Sequence, residues 1–350
     1  MKIGMPINYA GGFAETVEEL VEFEAVGLDL VVLPEAYSFD AVSQLGYVAA
    51  KTSTLQIASG ILNIYSRTPT LLAMTAAGLD YVSGGRFVLG IGASGPQVVE
   101  GFHGLRYDAP SSRMREVVDI CRQVWRREKL EHRGKYYQVP LTKDDGGSGL
   151  GKPLRLINHP VRDSIPMVLA ALGPRNVELA AEIFEGWEPL FYLPERAHDA
   201  FGAALEAGKA KRSADLPALE ITVDTKMLIT EDADELAAGL QEVRDYLALY
   251  IGGMGARSKN FYNELAIRYG FEEEARTIQD LYLDGKKAEA AAAVPDELLH
   301  GVTLVGAPGH VAERVAAFAE SGVTSLNATP MAKTHDRRVS DIARLKEYSA

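Results

Sequence analysis

Apolar residues along this chain follow two alternating patterns. Short runs such as "KIGMPI", "LDLVVLP", "LQIASGI" and "RFVLGIG" are almost continuously apolar. They are too short for helices and predict strands buried on both faces, as in a parallel sheet. Between them lie stretches of helical period. "TVEELVEFEAVG" sets Val17, Leu20, Val21 and Ala25 on one face, "AVSQLGYVAAKT" follows, and "PTLLAMTAAGLDYVSGG" carries Pro69 near its start and glycines at its end, which suits helix entry and exit.

After a further helix over 111–128 the rhythm breaks. Residues 129–165 read as an excursion, with a hairpin in "EHRGKYYQVP" and a flexible loop in "KDDGGSGLGKP". Strand "IPMVLAAL", helix "NVELAAEIFEG", strand "WEPLFY", a helix over 195–211 and strand "LEITVDTKMLIT" restore it. Residues 233–293 form an extra helical region, and "GHVAERVAAFAESG" and "VTSLNATP" supply a last helix and strand. About eight strand–helix units without a linker or repeat predict an α/β fold: a (β/α)8 TIM barrel with insertions, one domain over 1–350.

A barrel carries its chemistry at the C-terminal ends of its strands. Here those ends are Pro6–Asn8, Pro34–Glu35, Gly60–Asn63, Gly92–Gly95, Ala171–Gly173, Trp187–Pro189, Leu228–Thr230 and Asn327–Pro330. Gly90-x-Gly92-x-x-Gly95 spells the dinucleotide fingerprint, whose helix should follow at once. Gly101, Gly104 and Pro110 intervene, and the next long helix starts near Ser111. The Rossmann reading fails. The glycines near Ser59-Gly60 and at 90–95 read either as tight turns or as a wall that a planar ring approaches closely.

"LGPRNVELAAE" offers backbone amides at a helix start with Arg175 beside them, an arrangement suited to phosphate. The plainer alternative is a helix start with Asn176 as N-cap. Glu35, Asp40, Glu100 and Glu188 are the carboxylates nearest the mouth, and a general acid among them needs a perturbed carboxyl in a dry pocket. Asn8, Tyr65, Phe102, His103, Tyr107 and Trp187 are candidates for a substrate pocket, although core or rim packing is the commoner role for each of the aromatic ones taken singly.

Composition narrows the function classes. The 350 residues are 47% hydrophobic and 24% charged, an ordinary globular balance that can bury a large core. A net charge of −12 argues against nucleic acid and anionic membrane as partners. The seven histidines form no H-x-x-x-H or Cys/His cluster, so no metal site is expected. Cys121 stands alone in an amphipathic helix; it reads as a buried thiol and fits a cytoplasmic location. No run reaches membrane-spanning length, and no leader is read at the start. The absence of a G-x-S-x-G elbow, a P-loop or a paired nucleophile and base points to a cofactor enzyme acting on a small molecule.

Several longer stretches are similar to a known family. "ASGILNIYSRTP", "LDYVSGGRFVLGIGASGPQVVEGFHG", "GLGKPLRL", "LGPRNVELAAEIFEGW" and "SGVTSLNATP" resemble the luciferase-like monooxygenase superfamily, and within it the branch dependent on the 5-deazaflavin coenzyme F420. The resemblance covers nearly the whole chain. It implies a bacterial luciferase-like barrel, paired as a homodimer, that moves a hydride between the deazaflavin ring and an organic substrate. It places a non-proline cis peptide at Gly60–Ile61, behind the ring, with Ser59 and Asn63 close by. Glu35 falls where relatives hold an acidic residue against the ring, which makes it the candidate catalytic group. Gly92, Ala93 and Ser94 would line the cofactor, and Gly173, Arg175 and Asn176 its phosphate-bearing chain.

Sugar-phosphate dehydrogenases of that branch follow the acidic residue with His and place a Glu soon after the fourth-strand glycines. This chain has Ala36 and "SGPQ", which argues against sugar-phosphate oxidation. Three rivals stand beside the deazaflavin reading. One is an FMN-dependent monooxygenase using reduced flavin and oxygen. Another is a non-redox barrel built around Lys226, and the last is a non-catalytic protein that stores or delivers the cofactor. The excursion at 129–165 and the helices at 233–293 read either as a roof over the mouth or as dimer contacts.

Overall fold

The apolar runs pair as the two-sided burial requires. In the computed structural model, which describes residues 1–7 and 12–350, the chain forms twelve strands among the described residues: β1 (Lys2–Pro6), β2 (Leu30–Leu33), β3 (Gln56–Ser59), β4 (Leu62–Asn63), β5 (Phe87–Gly92), β6 (His132–Arg133), β7 (Gln138–Val139), β8 (Met167–Ala170), β9 (Gly186–Glu188), β10 (Glu220–Ile229), β11 (Leu304–Gly306) and β12 (Ser325–Pro330). Eight of them, in the order β1-β2-β3-β5-β8-β9-β10-β12, close a parallel barrel, because β10 pairs with β9 along one edge and with β12 along the other while β12 returns to β1. The fold is a TIM barrel. Asn8, expected at the end of the first strand, lies outside the described residues.

Helices α1 (Phe13–Ala25), α2 (Ala41–Lys51), α3 (Pro69–Ser83), α5 (Pro110–Trp125), α6 (Pro174–Ile183) and α7 (Ala197–Lys209) follow the strands, with a single turn α4 (Pro96–Val99) after β5. They cover the outward side chains Val31, Leu33, Ile57, Phe87, Leu89, Met167 and Leu169, all buried. The alternate positions Leu30, Val32, Ala58 and Val88 pack together inside the lumen, as period-two strands in a closed barrel dictate. Helix caps match the sequence signals: Thr68 accepts from Leu71 N at 3.2 Å with Pro69 as the first helical residue, and Gly84 ends α3 in the left-handed region.

The excursion between α5 and β8 contains the expected hairpin, β6 against β7. Arg162 anchors its far end to the fully buried Asp80, donating from Nε at 3.2 Å and also to Phe87 O at 2.7 Å. The helical region after β10 comprises α8 (Ala233–Ala248), a π-helical turn Leu249–Gly253, α9 (Phe261–Arg268), α10 (Glu272–Leu283), α11 (Lys287–Ala292) and α12 (Asp296–Gly301); α13 (Pro308–Glu320) and α14 (His335–Tyr348) complete the outer layer. Among the described residues no helix is long and apolar enough to cross a membrane.

Three elements depart from the sequence expectations. The strand expected over "WEPLFY" spans only 186–188, because Pro189 has no N–H to extend the ladder and Phe191 then takes a positive φ of 55°. β11 and α14 were not anticipated: one is three residues long, and the other is mostly charged, with only Asp341, Ile342 and Leu345 buried.

Candidate active site

At the C-terminal end of the barrel lies a cleft of about 910 Å3, counted out to its open mouth. One wall is built from β5. Its glycines stand where a side chain has no room: a Cβ on Gly90 would lie 1.8 Å from Ser59 O, and one on Gly92 would lie 2.5 Å from Ile61 Cδ1. Ser59 Oγ donates to Gly90 O at 2.8 Å and fixes the two strands at this close approach. The strand continuing from β3 is interrupted at Gly60–Ile61, whose peptide bond is cis. β4 then resumes pairing with β5, Leu62 against Ile91 and Asn63 against Gly92. The interruption presents Ile61 to the cleft beside Gly92, Ala93 and Ser94.

The opposite wall comes from β8 and the start of α6: Leu169 to Gly173 and Asn176 line it. Gly173 is the N-cap of α6, Pro174 the first helical residue, and no side chain caps the free amides. Asn176 is therefore not the cap the plainer sequence reading expected; its Oδ1 accepts from Ser111 Oγ at 2.5 Å and ties α6 to α5. Arg175 is exposed at the same helix end. The roof comes from the helical region, through Phe261 and Tyr262.

Other candidates are distributed as follows. Tyr107 lines the cleft, and Tyr65 packs against it with ring centroids 5.4 Å apart while donating to Asp108 O at 2.7 Å. Phe102 is 64% exposed at the rim, between Tyr37 and His103; neither Phe102 nor His103 lines the cleft. Trp187 is corrected outright. It points out of the barrel, fully buried, its Nε1 donating to Ala171 O at 2.9 Å and its ring edge-on to Phe201 at 4.9 Å. Its neighbour Glu188 takes the inward position and lines the cleft, since a one-residue step along a strand exchanges the two faces.

Glu35 is held in place on both oxygens. Arg67 donates to Oε1 at 2.6 Å and to Oε2 at 2.8 Å, and Ala41 N donates to Oε2 at 2.9 Å. Both side chains are nearly buried, and Arg67 also reaches Asp40 Oδ1 at 2.5 Å. Burial opposes the guanidinium charge, but Glu35 and Asp40 outweigh it and push the Arg67 pKa up. Glu35 thus joins the end of β2 to the starts of α2 and α3 as a positioning group. Arg67 had no sequence signal, because its partner lies 32 residues away.

The charges that sequence reasoning left unconnected lie in the lumen just below the cleft. Glu188 on β9 accepts from Asn327 Nδ2 on β12 at 3.2 Å, and Asp224 on β10 stands opposite Asn327 in the strand register. Asn327 is fully buried; its Oδ1 and Asp224 Oδ1 have no hydrogen-bond partner. Burial first, and the Asp224 charge second, raise the Glu188 carboxyl well above the ordinary range, against the opposing hydrogen bond from Asn327. Asp224 is raised as well, by burial. A faint signal for Asp224 existed: "EITVDTK" sets Glu220, Thr222, Asp224 and Lys226 at alternate positions of a strand, an unusual polar series for an inward face.

Comparison with known proteins agrees with this architecture. The luciferase-like monooxygenase family matches residues 1–325. A "putative coenzyme F420-dependent oxidoreductase" of Mycobacterium tuberculosis is 40% identical over 334 residues, 94% of this chain and 95% of the relative. Among solved structures, the coenzyme F420-dependent tetrahydromethanopterin reductase of Methanopyrus kandleri superposes with a TM-score of 0.79 at 20% identity, over 98% of this chain and 97% of that one. The oxygenating constituent of 3,6-diketocamphane monooxygenase from a Pseudomonas putida plasmid, in complex with FMN, gives 0.70 at 18% identity, over 100% and 98%. At such identities the two structures speak to fold alone. The closed barrel, the glycine-walled cleft at its strand ends and the match along nearly the whole chain lead to one conclusion: this chain belongs to the luciferase-like monooxygenase family.

Proposed function

We propose that the protein is an F420-dependent oxidoreductase that transfers a hydride between the deazaflavin and a small organic substrate. The observation that carries the reading is the cleft wall of Ile61, Gly92, Ala93 and Ser94 at the strand ends, where the small residues of β5 lie against Ile61. The relative that is 40% identical supports the choice of cofactor. Asn63 pairs with the cleft residue Gly92 and is 5% exposed; its Oδ1 accepts from Tyr65 N at 2.8 Å, and its buried Nδ2 donor has no protein partner, so a ring carbonyl reaching that level would satisfy it.

In this reading Ile61, Gly92, Ala93 and Ser94 hold the ring, while Gly173, Arg175 and Asn176 receive the phosphate-bearing chain at the uncapped start of α6. When bound, the deazaflavin supplies hydride chemistry at its central carbon. The chain's own part is to orient, to exclude water and to manage the proton. Glu35 and Arg67 fix the positions of α2 and α3 at the rim. Leu172, Leu190 and Phe261 give the remaining volume an apolar character. The outer face of α3 exposes Leu71, Met74, Tyr81 and Val82, an apolar face of the kind that associates, and we assign it to a homodimer contact. Light scattering then reports a dimer that Met74→Glu weakens.

Fluorescence titration of the purified protein with F420 and, separately, with FMN tests the cofactor. Saturable quenching by F420 alone is expected. Preference for FMN gives the monooxygenase alternative, and no response to either refutes both redox readings. Tight F420 binding with no hydride exchange in any assay leaves the non-catalytic carrier.

A further inference from the structure

We propose that Glu188 is the proton donor and acceptor of the cleft, positioned by Asn327, with Asp224 as a second acid beside that amide. The inference rests on the oxidoreductase reading and deepens it. Glu188 lines the cleft together with Ile61, Gly92 and Leu190, and at the same time closes the top of the lumen, where Asn327 also lies. It is the carboxyl facing the cleft among the residues that line it.

The surroundings favour a held proton. Asp224 adds a second acid behind Glu188, and among the described residues no cation offsets the pair. Lys2, at the base of the lumen, is engaged with Glu220 at 3.0 Å. Lys226, above Asp224, leans toward Glu242 at 3.9 Å and over the Tyr246 ring at 5.3 Å. Among the described residues, the other titratable groups facing the region are Tyr246 from α8, Tyr107 after α4 and Tyr262 from α9, all neutral phenols whose pKa burial pushes up further. Burial and the Asp224 charge both disfavour an ionised Glu188, and two interacting carboxyls titrate as a pair rather than both ionising together. The buried, unpartnered Oδ1 of Asn327 provides an acceptor at the same junction. Gly4 makes room for that amide, since a Cβ there would lie 2.2 Å from Asn327 Oδ1.

The substrate class follows. Leu172, Leu190 and Phe261 share the cleft with this acid and with the polar Tyr107 and Tyr262, so it suits a molecule with an apolar body and one polarised C=O or C=N group. In the reductive direction the Glu188 O–H bond breaks as an O–H or N–H bond forms on the substrate heteroatom. The hydride, supplied by the reduced deazaflavin, forms the new C–H bond; the C=O or C=N π bond is consumed, and Glu188 is left as carboxylate. Water entering the emptied cleft returns the proton. Oxidation reverses each step.

Difference infrared spectroscopy of the cofactor-free protein reads the proton directly. The expected result is a protonated-carboxyl C=O band at pH 7 that is absent in Glu188→Gln, titrates at lower pH in Asp224→Asn, and shifts when F420 is added. Circular dichroism confirms that both isosteric variants fold. A spectrum without the band at pH 7 overturns the proposal, as does a band that survives Glu188→Gln, or one indifferent to bound F420, which marks a merely structural carboxyl. The F420 titration separates the two claims: a Glu188-dependent band in a protein that does not bind F420 removes the cofactor reading and leaves the proton-holding carboxyl standing.

Discussion

Alanine at Gly90 and alanine at Gly92 should separate what the barrel needs from what the cleft needs. At Gly90 the new methyl meets backbone, Ser59 O at 1.8 Å and Ser59 C at 2.9 Å. To bring 1.8 Å out to the 3.0 Å below which such contacts do not occur, β3 and β5 must part by about 1.2 Å. That shift also stretches the buried 2.8 Å bond from Ser59 Oγ to Gly90 O. Overpacking and a weakened buried hydrogen bond together cost about 2–4 kcal/mol, a large share of a total stability of about 5–15 kcal/mol. At Gly92 the methyl meets only the end of the Ile61 side chain, at 2.5 Å from Cδ1. Rotation of that chain relieves the clash for under about 1.5 kcal/mol, but it pushes Ile61 into the ring's place. Urea unfolding should show a clearly lower midpoint for Gly90→Ala and a small change for Gly92→Ala, with m unaltered in both. F420 titration of Gly92→Ala should show affinity reduced at least about tenfold, near 1.4 kcal/mol. A wild-type midpoint for Gly90→Ala refutes the close approach of β3 and β5. Unchanged affinity in Gly92→Ala refutes the ring's placement on this wall.

Three further outcomes are expected. Arg67→Met leaves Glu35 nearly buried with only the Ala41 amide and should destabilise by about 3–5 kcal/mol, whereas Arg67→Met combined with Glu35→Gln should recover much of the loss; chemical denaturation of both variants checks the difference. Cys121 is fully buried and burial pushes its thiol up to about 12, so thiol reagents at pH 8 should label the native protein only as fast as it opens, and rapid labelling without unfolding contradicts the packing. Because the native carboxyl of Asp224 is raised, the unfolded chain ionises first as pH climbs past about 4; wild-type stability therefore falls above that pH relative to Asp224→Asn, and a gap that closes with rising pH refutes the assignment.

What the sequence revealed and what it hid divide along physical lines. Strands 30–33, 56–59 and 87–92 were legible because burial on both faces leaves the runs almost continuously apolar, and the lengths rule out helices. The TIM barrel followed from their count and alternation. Trp187 was misplaced because an apolar run carries no phase: with both faces buried, nothing local says whether Trp187 or Glu188 points inward. The acid pair stayed hidden for a different reason. Asp224 and Asn327 lie on strands far from Glu188 in the chain, and only barrel closure brings the three to one level. Arg67 reads as an ordinary loop cation until β2 and α3 set it against Glu35. The glycine fingerprint was rightly rejected as a dinucleotide signal, yet its glycines have a reason. Gly90 admits the Ser59 backbone, Gly92 admits Ile61, and Gly95 caps the turn of α4.

The cleft is built from two separate parts of the chain. Its walls start in hydrogen-bonded sheet, where β5 and β8 are each paired with neighbours on both sides. Its roof is Phe261 and Tyr262, and Tyr262 is part of an aromatic cluster in which Phe191 meets the rings of Tyr246, Tyr250 and Tyr262 at 5.3–5.9 Å. That cluster belongs almost wholly to the helices inserted after β10. Selection can therefore revise the ceiling without touching the foundation. Related chains that share the cofactor floor would diverge in diet by exchanging those aromatic rings, and a library confined to Tyr250, Phe261 and Tyr262 is the economical place to look for altered appetite.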